Sequence, residues 1–320
     1  MTQRASVVTV VLAGLVFLAL AVTLLLFADD LAAPDRALGE PTAAARPSAS
    51  PAPSTLSSQR NCGYAPSACG YPDASNTGVR AGVSLNRSGC VTARGPGQVI
   101  ENLMIDGCTI AVEAENVTIR NVRLTQTSVD MWGIIVREGA SARIENVEIA
   151  GRDQSTGSIQ YAILSQTDKP VTVDRANIHH CHNCIQGEYL TVTNSYIHTM
   201  ANPPEAHVDG ILCTGPCGLT LRHNTVLNEH GQTSAIALFP DFGTPRDSVI
   251  DNNLLAGGGY TVYAGEDNAT GIKVTNNRFS RRYYPNGGYW GPGADYANNG
   301  TGNVWTGNIW DDTGATVSAP

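Results

Sequence analysis

An all-β solenoid of stacked coils is the fold this 320-residue sequence predicts, and two recurring patterns predict it. The first is a seven-residue phrase. It reads Val99-Ile-Glu-Asn-Leu-Met-Ile105, Thr118-Ile-Arg-Asn-Val-Arg-Leu124 and Arg143-Ile-Glu-Asn-Val-Glu-Ile149 in the first coils. It returns with starts at 172, 191, 220, 249, 273 and, degenerately, 304, so that successive copies lie 19 to 31 residues apart. Each copy has apolar residues second and last, and usually Asn fourth. That is too short for a helix and suits a strand, an Asn-centred turn and a second strand. A period of about 20–30 residues with β-branched strands marks coils that each bury an apolar side against the next. Asn102, Asn121, Asn146, Asn194, Asn252 and Asn276, all fourth in their phrases, are expected to stack as an amide ladder and to carry no chemistry.

The second pattern lies between the phrases. Trp132-Gly-Ile134, Tyr161-Ala-Ile163, Asn183-Cys-Ile185, Asp209-Gly-Ile211, Ser234-Ala-Ile236 and Tyr260-Thr-Val262 align as a second strand set. The column from Ile134 to Val262 is the expected inward stripe. The residue two places earlier varies from Trp to Asp to Ser, which a buried stripe would not tolerate. A bend after that position, at Gly210 in the fourth of these strands, reconciles Asp209 with Ile211. This coil pattern resembles the right-handed, single-stranded parallel β-helix of pectate-lyase-like proteins over roughly residues 75–312. The handedness is what that resemblance implies.

Ahead of the coils, Arg4 precedes a charge-free run from Ala5 to Ala28 and two acids follow it. The run is long for a signal-peptide core and sufficient for a membrane span. Residues 1–30 therefore read first as an uncleaved signal-anchor with the body outside the cytoplasm, and second as a cleaved signal peptide. Residues 31–60, rich in Pro, Ala and Ser, read as an extended linker. The β-helix domain takes residues 61–320. The expected location is the extracellular side of the membrane, or outside the cell altogether.

The formal charge of −8, with only Lys169 and Lys273 as lysines, argues against nucleic acid or anionic membrane surfaces as partners. A monomer is expected. Eight cysteines fit disulfides in an oxidising compartment. Cys181, Cys184, Cys213 and Cys217 also have spacing that a four-thiolate zinc site would use, and the pairing is open at this level. Crowded histidines at 179, 180, 182, 198, 207 and 230 read as coil and turn residues before they read as a metal site.

The chemistry is expected on the outside of the tube, where adjacent long coils form a groove for a polysaccharide. One coil brings Gln186 and Glu188, the next Glu205, His207 and Asp209, and the one after His230 and Asp241. Asp209 before Gly-Ile resembles the Asn-Thr-Asp motif of polygalacturonase-type glycoside hydrolases, whose acid holds a similar place. The paired Asp that family carries in its next coil is replaced here by Ser234-Ala235. A closer resemblance is to uncharacterised secreted β-helix proteins with a His-x-Asp-Gly-Ile phrase and a Gly-Gly-Gly-Tyr phrase, here Gly257 to Tyr260.

Two reactions fit these residues. Hydrolysis needs two carboxyls about a glycosidic bond, from Asp209 with Glu188, Glu205 or Asp241. A lyase needs a base, such as His207 or a tyrosine, and a cation, such as Arg137 or a bound Ca²⁺. Tyr260 and Tyr263 are candidate stacking surfaces for sugar rings. Trp290, Trp305 and Trp310 are expected to cap the end of the solenoid. The competing reading is a rigid surface module that binds glycan without cleaving it.

Overall fold

The nine phrases fold as predicted, and every one turns at its fourth residue. Asn102, Asn121, Asn146, Arg175, Asn194, His223, Asn252 and Asn276 all have φ between 49° and 58°, and Gly307 has φ 70°. Asn reaches this left-handed region at low cost because its short amide bonds locally, which explains its recurrence. The computed structural model describes residues 61–128, 131–202 and 207–320. The expected membrane or signal segment at 5–28 and the linker at 31–60 lie outside the described residues. Among those described, no helix is long and apolar enough to cross a membrane.

The described strands form two parallel sheets, one of seventeen strands and one of nine. The large sheet takes both halves of each phrase, folded at the left-handed corner. Ile119 stands in register between Ile100 and Ile144, and Leu124 between Ile105 and Ile149. The same two columns continue to Val274 and Phe279, then to Trp305 and Trp310. The nine-stranded sheet stacks the second strand set in chain order, with Ile134, Ile163, Ile185, Ile211, Ile236 and Val262 in one register column. All six are fully buried. Each buried Ile contributes roughly 1.5–3 kcal/mol, so the column holds the coils in register.

The bend beside Asp209 is real. Ala162 and Ile163, Cys184 and Ile185, and Ala235 and Ile236 are consecutive residues that all lie in the core. A straight strand cannot point two successive side chains the same way. In the Asp209 strand the equivalent position is Gly210, where a Cβ would come 2.4 Å from Val226 and 2.5 Å from the Ala235 carbonyl. The chain needs glycine there, and Asp209 on the other side of the bend is freed to face outward.

The amide ladder exists, one residue later than the sequence suggested. Asn224, Asn253, Asn277 and Asn308 occupy the fifth place of their phrases and are fully buried. Asn224 N and Nδ2 donate to Asn253 Oδ1 at 2.9 and 3.0 Å, and the pattern repeats from Asn253 to Asn277 and from Asn277 to Asn308. Each Nδ2 also reaches a carbonyl of the coil before. In the early coils the same place holds Val122, Val147 and Ala176.

Cysteines pair as Cys62–Cys69, Cys90–Cys108, Cys181–Cys184 and Cys213–Cys217. The zinc reading of the last four is thereby overturned, because their sulfurs are consumed in two short loops. Four disulfides fit an extracellular or secreted protein. Trp305 and Trp310 pack on Phe279 at the last coil as an end cap. Trp290 does not join them: it is 65% exposed, with its ring edge beside Gly259.

Residues 61–78 form a strap along the outside of the large sheet. It begins at the last coils, where Gly63 N donates to Asp311 Oδ2 (2.9 Å) and Arg282 Nη1 to the Gly63 carbonyl (2.7 Å). It crosses the middle coils with Tyr71 on Leu254 and on the His223 ring. It reaches the early coils where Gly78 N bonds the Arg175 carbonyl at 2.9 Å.

Candidate functional site

The outward face of the nine-stranded sheet carries a cleft of about 640 Å³ lined by Gln160, His182, Asn183, His207, Asp209, Leu212, Thr214, Thr233, Phe239 and Asp241. Four successive coils line it, and Tyr161, Asn183, Asp209 and Ser234 stand in one register row across them.

Asp209 is fixed from below. Asn228, fully buried, donates through Nδ2 to the Val208 carbonyl at 2.7 Å and to the Ser234 carbonyl at 2.9 Å. Thr233, in the left-handed region at φ 54°, accepts from Val208 N through Oγ1 at 2.9 Å. The Asp209 carboxyl is only 2% exposed, and Ser234 Oγ donates to its Oδ1 at 2.5 Å. Burial pushes its pKa up to about 7, against the opposing pull of the Ser234 hydroxyl and N–H. At neutral pH this group is divided between acid and anion, which suits a carboxyl that must deliver a proton. The neighbouring Asn183 Oδ1 is buried without a partner among the described residues.

The other lining groups differ in setting. His207 stands at the exposed edge, with Gln232 Nε2 3.0 Å from its Nε2. Asp241 is exposed at the rim. His182 is buried in the wall, and burial lowers its pKa. Its Nε2 lies 3.0 Å from Ser158 Oγ. Phe239 starts an aromatic row, 5.1 Å from Tyr263, which meets Tyr260 edge-on at 5.5 Å.

The sequence-predicted residues are thus divided. Asp209, His207 and Asp241 share the cleft; Tyr260 and Tyr263 flank it. Gln186 is in register with Leu212 on the same face, with Oε1 buried and unpartnered. Glu205 lies outside the described residues. Glu188 lines a second cleft of about 370 Å³ with Glu138, Ser165, Gln166, Thr167, Asp168 and Tyr189. Arg137 points to that side, bonding Gln166 Oε1 at 2.9 Å and covering the Trp132 ring. His230 is held near the Tyr284–Tyr289 loop, with Nε2 buried and unpartnered. Sequence reasoning missed His182, Asn183 and Gln160 as lining groups. The signal was present, since the register that aligns Asn183 with Asp209 puts His182 directly before it on the same strand.

Among the described residues no group of three or more His, Cys, Asp or Glu side chains is placed to hold a metal ion.

The right-handed β-helix region family matches residues 89–315. Among solved structures, the Dettilon tailspike protein is similar at 14% identity and a TM-score of 0.31, over 70% of this chain and 58% of that one. The chain therefore spans less than two thirds of that protein's length. No curated protein matches. With the parallel coils, the inward columns and this match over most of its length, the chain belongs to the right-handed β-helix region family.

Proposed function

We propose that the cleft hydrolyses a glycosidic bond of an extracellular or cell-wall polysaccharide, with Asp209 as proton donor. The observation that carries this reading is a carboxyl 2% exposed, held near neutrality in its acidity, in a cleft that also holds a second carboxylate. Asp209 in its protonated form gives its proton to the departing glycosidic oxygen as the C–O bond breaks. Asp241, exposed at the rim, stabilises the positive charge that builds on the sugar ring or accepts the proton of the attacking water. His207 and the Phe239–Tyr263–Tyr260 row hold the sugar chain across the coils. β-Elimination is the weaker reading, because among the described residues neither Lys nor Arg lines the cleft to stabilise the charge formed next to a uronate. A pure binding module gives no reason for a buried carboxyl at the cleft floor.

The test is incubation of residues 61–320 with neutral and uronic polysaccharides, assaying reducing ends together with absorbance of unsaturated uronate. Reducing ends without the chromophore are expected, from wild type and not from Asp209→Asn. The chromophore would replace hydrolysis with elimination, and silence across the panel would leave the binding module standing. Activity should fall as pH rises through about 7, where Asp209 loses the proton it must donate.

A further inference from the structure

The hydrogen-bond chain behind His182 fixes what that side chain offers the cleft. Ser158 has one hydroxyl proton, and it is committed to the Ser155 carbonyl at 2.7 Å. The contact between Ser158 Oγ and His182 Nε2 at 3.0 Å therefore needs its proton from the imidazole. Nε2 carries the hydrogen, and Nδ1 is left with a lone pair. Nδ1 has no partner among the described residues, and the ring lines the cleft. Burial opposes a second proton on the ring, so His182 accepts a hydrogen bond at Nδ1 and donates none into the cleft. A general base would have to become charged in this setting, which desolvation disfavours. A fixed neutral acceptor reads a donor instead.

We infer, resting on the glycan-cleaving reading above, that the cleft takes an uncharged sugar chain and that His182 selects it by accepting a hydrogen bond from a sugar hydroxyl or amide N–H. The remaining charge points the same way. Among the described residues the ionisable groups lining the cleft are Asp209, Asp241, His182 and His207, with neither Lys nor Arg. A uronate carboxylate would lose water against two acids and an acceptor with no cation to meet it, which is costly. A neutral sugar presents donors to His182, acceptor oxygens to the Asn183 and Gln160 amides, and C–H faces to the aromatic row.

The experiment is calorimetric binding to the Asp209→Asn protein, so that cleavage does not intervene. The probes are β-1,4 hexamers of glucose, N-acetylglucosamine, mannose and xylose, against hexagalacturonate. At least one uncharged hexamer should bind ten times or more tighter than hexagalacturonate. Adding His182→Phe should weaken that hexamer by about tenfold, the scale of one lost hydrogen bond. His182→Asn, whose Oδ1 can stand near the Nδ1 position, should restore much of the affinity, whereas His182→Gln should not. Circular dichroism confirms that each variant folds, and His182→Asn against His182→Gln decides the matter should the Phe variant fail to fold. Hexagalacturonate binding as tightly as the uncharged hexamers, no binding by any of them, or equal affinity in the Asn and Gln variants would each overturn the inference. Failure of hydrolysis is read separately, from reducing ends released by the wild type.

Discussion

Two rows of buried polar side chains run along this solenoid, and they are finished differently. In the ladder of Asn224, Asn253, Asn277 and Asn308, every link has its donors and acceptors met by the next coil or the one before. In the row of Asn183, Asp209 and Ser234, the one strong bond is Ser234 to Asp209. Among the described residues, Asn183 Oδ1 has no partner and no cation stands beside the desolvated Asp209 carboxyl. A buried polar group that is satisfied stabilises and specifies a fold; one left short raises the free energy of the fold in exchange for reactivity. The first row holds coils together and the second is open to a ligand.

The largest separation between the rows should be in catalysis. Asp209→Asn keeps the shape and an acceptor for Ser234 but removes the transferable proton, and kcat should drop by about 10²–10⁴-fold. Asn253→Ala, measured by the same reducing-end assay well below its melting temperature, should leave kcat within about twofold, since only a change near 1.4 kcal/mol in barrier gives tenfold. Stability should reverse the ranking. Asn253→Ala leaves the Asn224 backbone N–H without its acceptor and takes a donor from the Leu221 carbonyl inside the core, and denaturant unfolding should show a loss of about 3 kcal/mol.

A smaller effect has the opposite sign. The carboxyl of Asp209 is raised from 3.8 to about 7, so its protonated form favours folding below the unfolded value, and that contribution is lost as pH rises through about 7. At pH 8.5 Asp209→Asn should therefore be more stable than the wild type, while at pH 4 the two should coincide. The full gap would amount to roughly 4 kcal/mol, and about half of that is expected after the cleft relaxes. A loss of stability at pH 8.5 would place Asp209 in the structural row instead. The smallest effect belongs to the outer corner. Asn276→Gly removes an amide that bonds Asp251 Oδ1 at the surface but suits the left-handed backbone, so thermal unfolding should shift by the equivalent of about 0.5 kcal/mol or less.

That contrast between Asn276 and Asn253 also shows what the residues made legible. The coil period and the three inward columns follow from apolar spacing alone, and the structure keeps those columns in register. The ladder was misplaced by one residue because an Asn repeated in every coil has two physical causes: tolerance of positive φ and bonding along the stack. Only the fold separates them, with the fourth place turning outward at the corner and the fifth turning in. Asp209, His207 and Asp241 were readable as neighbours because they lie near equivalent places in successive coils. His182 was hidden in a crowd of histidines, and its role depends on Ser158, a residue with no pattern of its own. Glu188 was grouped with Asp209 by coil adjacency, but the strand between carries it around to another cleft.

The strap gives this stack a mechanical direction. A bare solenoid passes load only from coil to neighbouring coil, whereas residues 61–78 tie the last coils to the early ones through Asp311, Leu254 and Arg175. A pull applied at Asn61 would act at the end of the rod that carries Trp305 and Trp310. It would peel the strap contact by contact from the last coils toward the early ones, while the cleft face, formed by the other sheet, bears none of the first load.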